Sequence, residues 1–135
     1  MSNITQVVNT DKNMTTLKKG VHASDLDQLL SSTGPFTMFA PLNLAFEKLA
    51  EGTMNKLLEP ENKIALTSLI NRHVVADKMN FKDLKDGEKL KSLEGKELLV
   101  KITGNEVHID AALIQNHDIK TTNGVVHTLD TVLGN

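Results

Sequence analysis

The chain has 135 residues, of which 39% are apolar and 24% charged, and these proportions are typical of an ordinary globular protein. The absence of cysteine excludes disulfides and thiolate metal sites. A net charge of −2 and the lack of Trp and Tyr argue against nucleic-acid binding, which favours a basic surface with aromatic residues for base stacking.

The sequence leaves the localisation open. No apolar run approaches the ~20 residues that a membrane-spanning helix needs. Residues 1–6 lack a basic region followed by an apolar stretch, so we expect no signal peptide within this sequence. The protein is therefore extracytoplasmic if a signal peptide was removed, and cytoplasmic otherwise. Asn3 and Asn13 begin Asn-x-Thr sequons, which matter only in a eukaryotic secretory pathway.

The first half of the chain has helical periodicity. Apolar residues recur with the i, i+3, i+4 spacing of amphipathic helices in four segments: 4–8, 14–21, 26–30 and 42–49. Ser24 is the predicted N-cap of the third helix, and Thr53 that of a short helix through Leu58. The clearest helix is predicted from Glu61 to about Val75, with His73 on its apolar face.

Strand patterns dominate the rest of the chain. An early buried strand is predicted at residues 36–40 between two prolines, and a short helical turn at 81–84. Later strand-like runs cover residues 90–93, 98–102, 107–109, 113–114 and 125–133. Asp86-Gly87, Glu94-Gly95 and Gly104-Asn105 are predicted turns between them. Helices followed by antiparallel strands indicate an α+β fold, which we expect to be one domain over residues 1–135.

Three ordered motifs in this sequence resemble those of the fasciclin-like domain family, of the beta-Ig-h3/fasciclin type. The run from Thr37 to Phe46 resembles the family's first signature, and the run from Asn123 to Asp130 its second. His73 lies where the family carries a Tyr-His pair, with Arg72 in place of the Tyr. The signature positions are Thr37, Phe39, Ala40, Pro41, Asn43, Phe46, His73, Asn123, Gly124, His127 and Asp130.

The resemblance implies a wedge of two small β-sheets with N-terminal helices packed at one end. It also implies no enzyme activity and no cofactor, since the family comprises mostly extracytoplasmic adhesion and matrix proteins. We therefore expect a non-catalytic cell-adhesion or extracellular protein-interaction module, monomeric, with a protein or glycan surface partner. The alternatives are an intracellular accessory or scaffold subunit, and a small-ligand or metal binder that uses the histidines.

The polar signature residues are expected to be structural. An unpaired buried histidine would cost about 1–3 kcal/mol, and the resemblance suggests that His73 bonds near the first signature, with Asn43 as a candidate partner. Asn43 is also a predicted N-cap of its own helix. His127 and Asp130 are expected to form a satisfied polar pair on a central, covered strand, because no nucleophile accompanies them. Gly124 is predicted to form a tight turn.

Two surface features have alternative interpretations. An Asp-Ile pair at the place of Asp118-Ile119 is proposed to contact integrins in animal relatives, since a carboxylate can complete a divalent metal's coordination. The plainer interpretation makes Ile119 a core strand residue and Asp118 a charge at the strand start. The exposed lysines are interleaved with acids, as on a solvated face, and the alternative is a weak contact with a polysaccharide or anionic surface. These lysines are Lys18, Lys19, Lys82, Lys85, Lys89, Lys91, Lys96 and Lys101.

Overall fold

The computed structural model describes residues 2–133 and contains five α-helices and eight β-strands in that range. The helices are α1 Ile4–Thr10, α2 Thr15–Ala23, α3 Asn43–Glu47, α4 Thr53–Leu57 and α5 Lys63–Asn71. The strands are β1 Phe36–Pro41, β2 Val74–Val75, β3 Lys89–Lys91, β4 Glu97–Thr103, β5 Glu106–Ile109, β6 Ala112–Leu113, β7 Ile119–Thr121 and β8 Gly124–Leu129. Short 3-10 turns cover Leu29–Ser31, Pro60–Asn62 and Phe81–Asp83.

The strands form two four-stranded sheets, and the first is built around a parallel pair. Its order is β2-β1-β8-β7, and β1 runs parallel to β8 from the Phe36–Gly124 pair to the Pro41–Leu129 pair. The second sheet, β3-β4-β5-β6, is antiparallel throughout. The antiparallel pairing expected of the later strands is found in the second sheet and between β7 and β8, whereas β8 pairs in parallel with the early strand β1. Strands separated by most of the chain are joined by a long crossover, which permits parallel pairing, rather than by a hairpin.

Two apolar clusters fill the interior, one on each face of the first sheet. The helices pack on one face, where Met38 and Val126 meet Leu17 and Ile70. Phe39 points to the other face and joins the cluster that lies between the two sheets. Every residue of β1 and β8 is buried, which confirms that the last strand is central and covered. The predicted wedge of two small sheets with helices at one end is confirmed.

Two predicted helix starts are wrong. Residues 26–30 form turns and a 3-10 segment, and Ser24 is the C-cap of α2, where its hydroxyl donates to Val21 O at 3.1 Å. Asp25 follows with a φ of 62°, a left-handed conformation that stops the helix. Thr53 is the first residue of α4 rather than its cap, because Gly52 at φ 81° occupies the N-cap position.

The helix predicted to end at Val75 ends earlier. α5 stops at Asn71, and Val74–Val75 instead form β2 beside β1, as suits β-branched residues at a sheet edge. β8 likewise ends at Leu129 rather than Leu133. The predicted turn at Gly104-Asn105 is confirmed, since Thr103 pairs with Glu106 across it.

Candidate functional site

Residues of both signatures bond to the main chain of one residue, Met79, at its N–H and at its carbonyl. In the first signature, the Thr37 hydroxyl accepts from Met79 N at 2.7 Å and donates to Asp77 O at 2.6 Å. In the second, His127 Nε2 donates to Met79 O at 2.7 Å. The loop that leads to the Phe81–Asp83 turn is therefore fixed to two adjacent central strands.

His127 is a neutral, fully used histidine. Its Nδ1 accepts from Asp118 N at 3.1 Å, so the ring proton lies on Nε2. Burial lowers the pKa of His127, although the Met79 carbonyl and the Asp118 charge oppose that effect. The ring also stacks on Phe39, with centroids 5.7 Å apart. These three contacts link the core of the first sheet to the surface.

The expected His127–Asp130 pair is not formed. Asp130 lies just beyond β8, and its Oδ1 accepts from Leu113 N at 2.9 Å and from the Thr131 hydroxyl at 3.0 Å. Its Oδ2 lies 3.9 Å from Lys48 Nζ. β8 ends at Leu129, and the Asp130 carboxylate turns to Leu113 of the second sheet instead of to His127.

Phe81, His117 and Asp118 form a surface cluster that we call the Phe81 corner. Asp118 accepts from Phe81 N at 2.9 Å and contacts His117 Nδ1 at 3.0 Å. The Phe81 and His117 rings stack with centroids 3.8 Å apart. Burial raises the pKa of Asp118, but the hydrogen bonds from Phe81 and His117 outweigh it and bring the pKa below its usual value. The carboxylate is thus ionised and held in place.

Asp118 and Ile119 occupy positions that agree with the plainer interpretation. Ile119 opens β7 and packs against the helical cluster, while Asp118 precedes the strand with a φ of 58°. The Asp118 side chain is 35% exposed. A role in partner contact stays a prediction, although the Phe81 corner is open to solvent and rigidly supported.

His73 bonds to main-chain groups and not to Asn43, so that prediction is wrong. Its Nδ1 donates to Leu69 O at 2.8 Å, and its Nε2 accepts from Leu133 N at 2.9 Å. His73 follows the end of α5 at Asn71, and its ring bonds to a carbonyl in the last turn of that helix. The main-chain carbonyl of His73, rather than its ring, contacts the first signature, because it accepts a hydrogen bond from Phe39 N at 2.8 Å. The preceding Arg72 forms a bidentate pair with Glu94, with both distances 2.8 Å.

We expect His73 to make the protein less stable in mild acid. Burial, more than any other effect, lowers its pKa to about 4, against 6.5 in the unfolded chain. The unfolded state therefore binds the extra proton first, and the free energy of unfolding falls as pH drops from about 6.5 to 4, by up to about 3 kcal/mol. Urea titrations across this range should show a flatter dependence for His73→Gln than for the wild type.

The control for that titration is His108→Gln. His108 is half-buried on β5, so this variant makes the same His-to-Gln change outside the buried core. An equal slope in His73→Gln and the wild type would assign the pH dependence to other groups. His127 contributes in the same direction and remains in both variants.

Asn43 caps a helix, but not its own. It is the first residue of α3, and its Oδ1 accepts from Thr16 N at 3.0 Å, in the first turn of α2. Its Nδ2 donates to Lys12 O at 3.3 Å and to the Thr15 hydroxyl at 3.0 Å. The N-cap residue of α2, Met14, offers no side-chain acceptor. The first signature thus supplies from a distance the acceptor that α2 lacks.

Asn43→Ala should destabilise the protein by about 1–2 kcal/mol, the usual cost of losing a cap. The measurement is urea unfolding followed by far-UV circular dichroism. Asn43→Asp is the matched variant, because it keeps the acceptor at the positive end of α2 and should recover most of the loss. Equal losses in both variants would show that the two donor bonds, rather than the cap, are what matters.

Asn123 connects distant parts of the chain. Its Nδ2 donates to Leu30 O at 2.7 Å and to Ser32 O at 2.8 Å. Its Oδ1 accepts from Ile4 N at 3.1 Å and from the Thr121 hydroxyl at 3.3 Å. The side chain is buried, so it satisfies groups that water cannot reach. Asn123 fastens α1 and the loop before β1 to the first sheet.

The remaining signature residues are apolar and buried. Phe39, Ala40 and Pro41 lie in β1, and Phe46 lies in α3 within the helical cluster. A model of the Fasciclin domain matches residues 12–135. The chain belongs to the fasciclin family. Its signature side chains therefore fill the core or bond to main-chain groups of this fasciclin domain.

Relatives and a solved structure extend the fasciclin match over nearly the whole chain. Protein sll1483 of Synechocystis is 38% identical over 130 residues, which cover 96% of this chain and 72% of that protein. Transforming growth factor-beta-induced protein ig-h3 of Sus scrofa is 37% identical over 134 residues, covering 98% of this chain but 19% of that protein. A FAS1 domain pair from the insect cell adhesion molecule Fasciclin I superposes with a TM-score of 0.87 at 18% identity, covering 99% of this chain and 51% of that chain.

Two clefts of the fasciclin domain lie beside the Phe81 corner and were not predicted from the sequence. The first, the lysine cleft, has a volume of about 550 Å³ and is lined by Lys78, Asn80, Phe81, Lys82, Asp118 and Lys120. The second, the hairpin cleft, has about 540 Å³ and lies beneath the Gly104–Asn105 turn. Phe81 and Lys82 line both clefts. The sequence feature that could have indicated these clefts is Phe81, an aromatic residue that lies outside the predicted strands and the family signatures and is followed by Lys82.

Two further properties concern the described residues 2–133. None of their helices is long and apolar enough to cross a bilayer. Their His, Asp and Glu side chains nowhere form a group of three that could hold a metal ion.

Proposed function

We propose that this protein is a non-catalytic interaction module of the adhesion type that acts outside the cytoplasm. The observation that carries the proposal is the Phe81 corner, a solvent-open cluster that bonds to buried His127 of the second signature and follows a loop bonded at Met79 to Thr37 of the first. The fold similarity to a domain pair from an insect cell adhesion molecule supports the adhesion type.

The chemistry of the signature residues supports a non-catalytic role. Fasciclin domains are in general not enzymes, and here both buried histidines have each ring nitrogen bonded to a main-chain group. Those nitrogens cannot exchange protons with a substrate without breaking structural bonds. We further propose that residues 1–135 form one domain, since its two clusters share the central strands β1 and β8, and that this domain acts as a monomer.

We place the partner-binding surface at the Phe81 corner, because its residues are held by hydrogen bonds and are partly exposed to solvent. Asp118 is ionised, ordered and partly exposed, and it lies between an aromatic stack and a lysine cleft. A surface of this kind can bind a protein or a glycan with little loss of conformational entropy, because the loop that carries it is already fixed.

Fractionation of the source cells tests the proposed function. The native protein is detected by antibody and its N-terminus is read by mass spectrometry. Extracytoplasmic protein with a processed N-terminus is the expected result. Protein confined to the cytosol and beginning at Met1 would instead favour an intracellular accessory or scaffold subunit.

A further inference from the structure

We propose that the lysine cleft and the hairpin cleft together bind an acidic polysaccharide, a chain of sugar rings that carries sulfate or carboxylate groups. An acidic polysaccharide would be the partner of the interaction module proposed above, so this assignment rests on that function. The occupant follows from the charge of the cleft, its aromatic surface and its continuity with the second cleft.

The charge of the lysine cleft opposes that of the protein. Lys78, Lys82 and Lys120 line it with the single acid Asp118, whereas the whole chain carries a net charge of −2. The Asp118 carboxylate is already engaged by Phe81 N and His117. Three exposed ammonium groups therefore face the cleft with little opposing charge, and such a concave surface concentrates anions.

A third cleft shows that lysines alone do not produce this arrangement. It has a volume of about 590 Å³ and lies along β3, where Lys89 and Lys91 are accompanied by Asp77 and Glu88. Two lysines against two acids leave no local excess of positive charge. The lysine cleft is the better anion site for this reason.

The aromatic surface favours a sugar chain over a free anion. Phe81 is half-buried, and its ring is stacked on His117 at a centroid distance of 3.8 Å, so the pair presents a rigid apolar surface. The C–H faces of sugar rings pack on such surfaces, while lysine ammoniums pair with the acidic substituents as point charges. A small inorganic anion would use the lysines but gain nothing from the rings.

The continuity of the two clefts favours a polymer. Phe81 and Lys82 line both, so a ligand that leaves the lysine cleft passes over Phe81 into the hairpin cleft. The hairpin cleft offers the amides of Asn105 and Gln115, which suit sugar hydroxyls. Consecutive sugar residues can therefore occupy the two clefts in turn.

The test is isothermal titration of the full chain with heparin and hyaluronan over a salt series, with neutral dextran as the reference polymer. We expect at least one acidic polymer to bind with an affinity that falls with salt, and dextran not to bind. The triple variant Lys78→Gln, Lys82→Gln, Lys120→Gln should lose at least about tenfold in affinity and show a shallower salt slope. Phe81→Leu should lose affinity with an unchanged slope.

The matched control removes three lysines from the helical end: Lys12→Gln, Lys18→Gln, Lys56→Gln. All three are exposed, so the change in net charge is the same. An equal loss in the control, no binding by the wild type, or equally tight binding of poly-glutamate would overturn the assignment. If the triple variant does not fold, Lys82→Gln and Lys120→Gln alone must each weaken binding. An extracytoplasmic location without polymer binding would remove this inference and leave the proposed function standing.

Discussion

Replacement of Gly124 by Val is expected to abolish the native fold or lower the free energy of unfolding by more than about 4 kcal/mol. The cause is close approach rather than turn geometry. A Cβ at residue 124 would lie 1.8 Å from Phe36 O and 2.7 Å from Phe36 C, and both atoms are main chain. Relief requires β8 to move away from β1 at the first pair of their ladder.

Thermal melting measures the effect, and Gly104→Asn is the control. Gly104 has a φ of 60°, which Asn tolerates, and a Cβ added there would meet no atom within 4 Å outside its two chain neighbours. The control should melt within a few degrees of the wild type, as expected for a change of about 1 kcal/mol. An unchanged midpoint for Gly124→Val would mean that β1 and β8 are not paired as described.

Asn123→Ala should be the second most damaging substitution, with a loss of about 3–5 kcal/mol. It removes four hydrogen bonds and leaves Ile4 N, Leu30 O and Ser32 O without this partner. Because the side chain is buried, water can replace those bonds only by opening the contact between α1 and the first sheet. Urea unfolding gives the free energy, and hydrogen exchange should show faster exchange in α1.

Asn105→Ala provides the comparison, because Asn105 is exposed at the tip of the β4–β5 hairpin. Its effect should stay within about 0.5 kcal/mol. A similarly small effect at Asn123 would contradict its role as the link between α1, the loop before β1 and β8.

The sequence predicted what depends on local periodicity. Ile4, Val7 and Val8 predict α1, and the strand-like runs on either side of the Gly104-Asn105 turn predict the β4–β5 hairpin. The wedge was expected only because the three motifs resemble those of the fasciclin-like family. Helix α1 and the hairpin, by contrast, are set by residues close together in the chain, where side-chain spacing and turn chemistry are sufficient.

What the sequence could not predict depends on distant partners. Asn43 has the side chain of an N-cap, but the amide that it serves belongs to α2, 27 positions away. His73 follows helical spacing, yet its partner Leu133 N lies 60 positions away. The Phe81 corner unites residues 37 positions apart through Phe81 N and Asp118. No local pattern encodes which distant group will lie within bonding distance.

The parallel pair of β1 and β8 has a consequence for synthesis of the chain. Phe36 pairs with Gly124, which lies 88 positions later in the chain, so the centre of the first sheet cannot form until that residue has been synthesised. On a ribosome, the apolar residues of β1 emerge long before their partner strand has been made. Completion of the sheet is therefore a late event that joins both ends of the molecule at once, and pairing at this sequence separation favours slow folding.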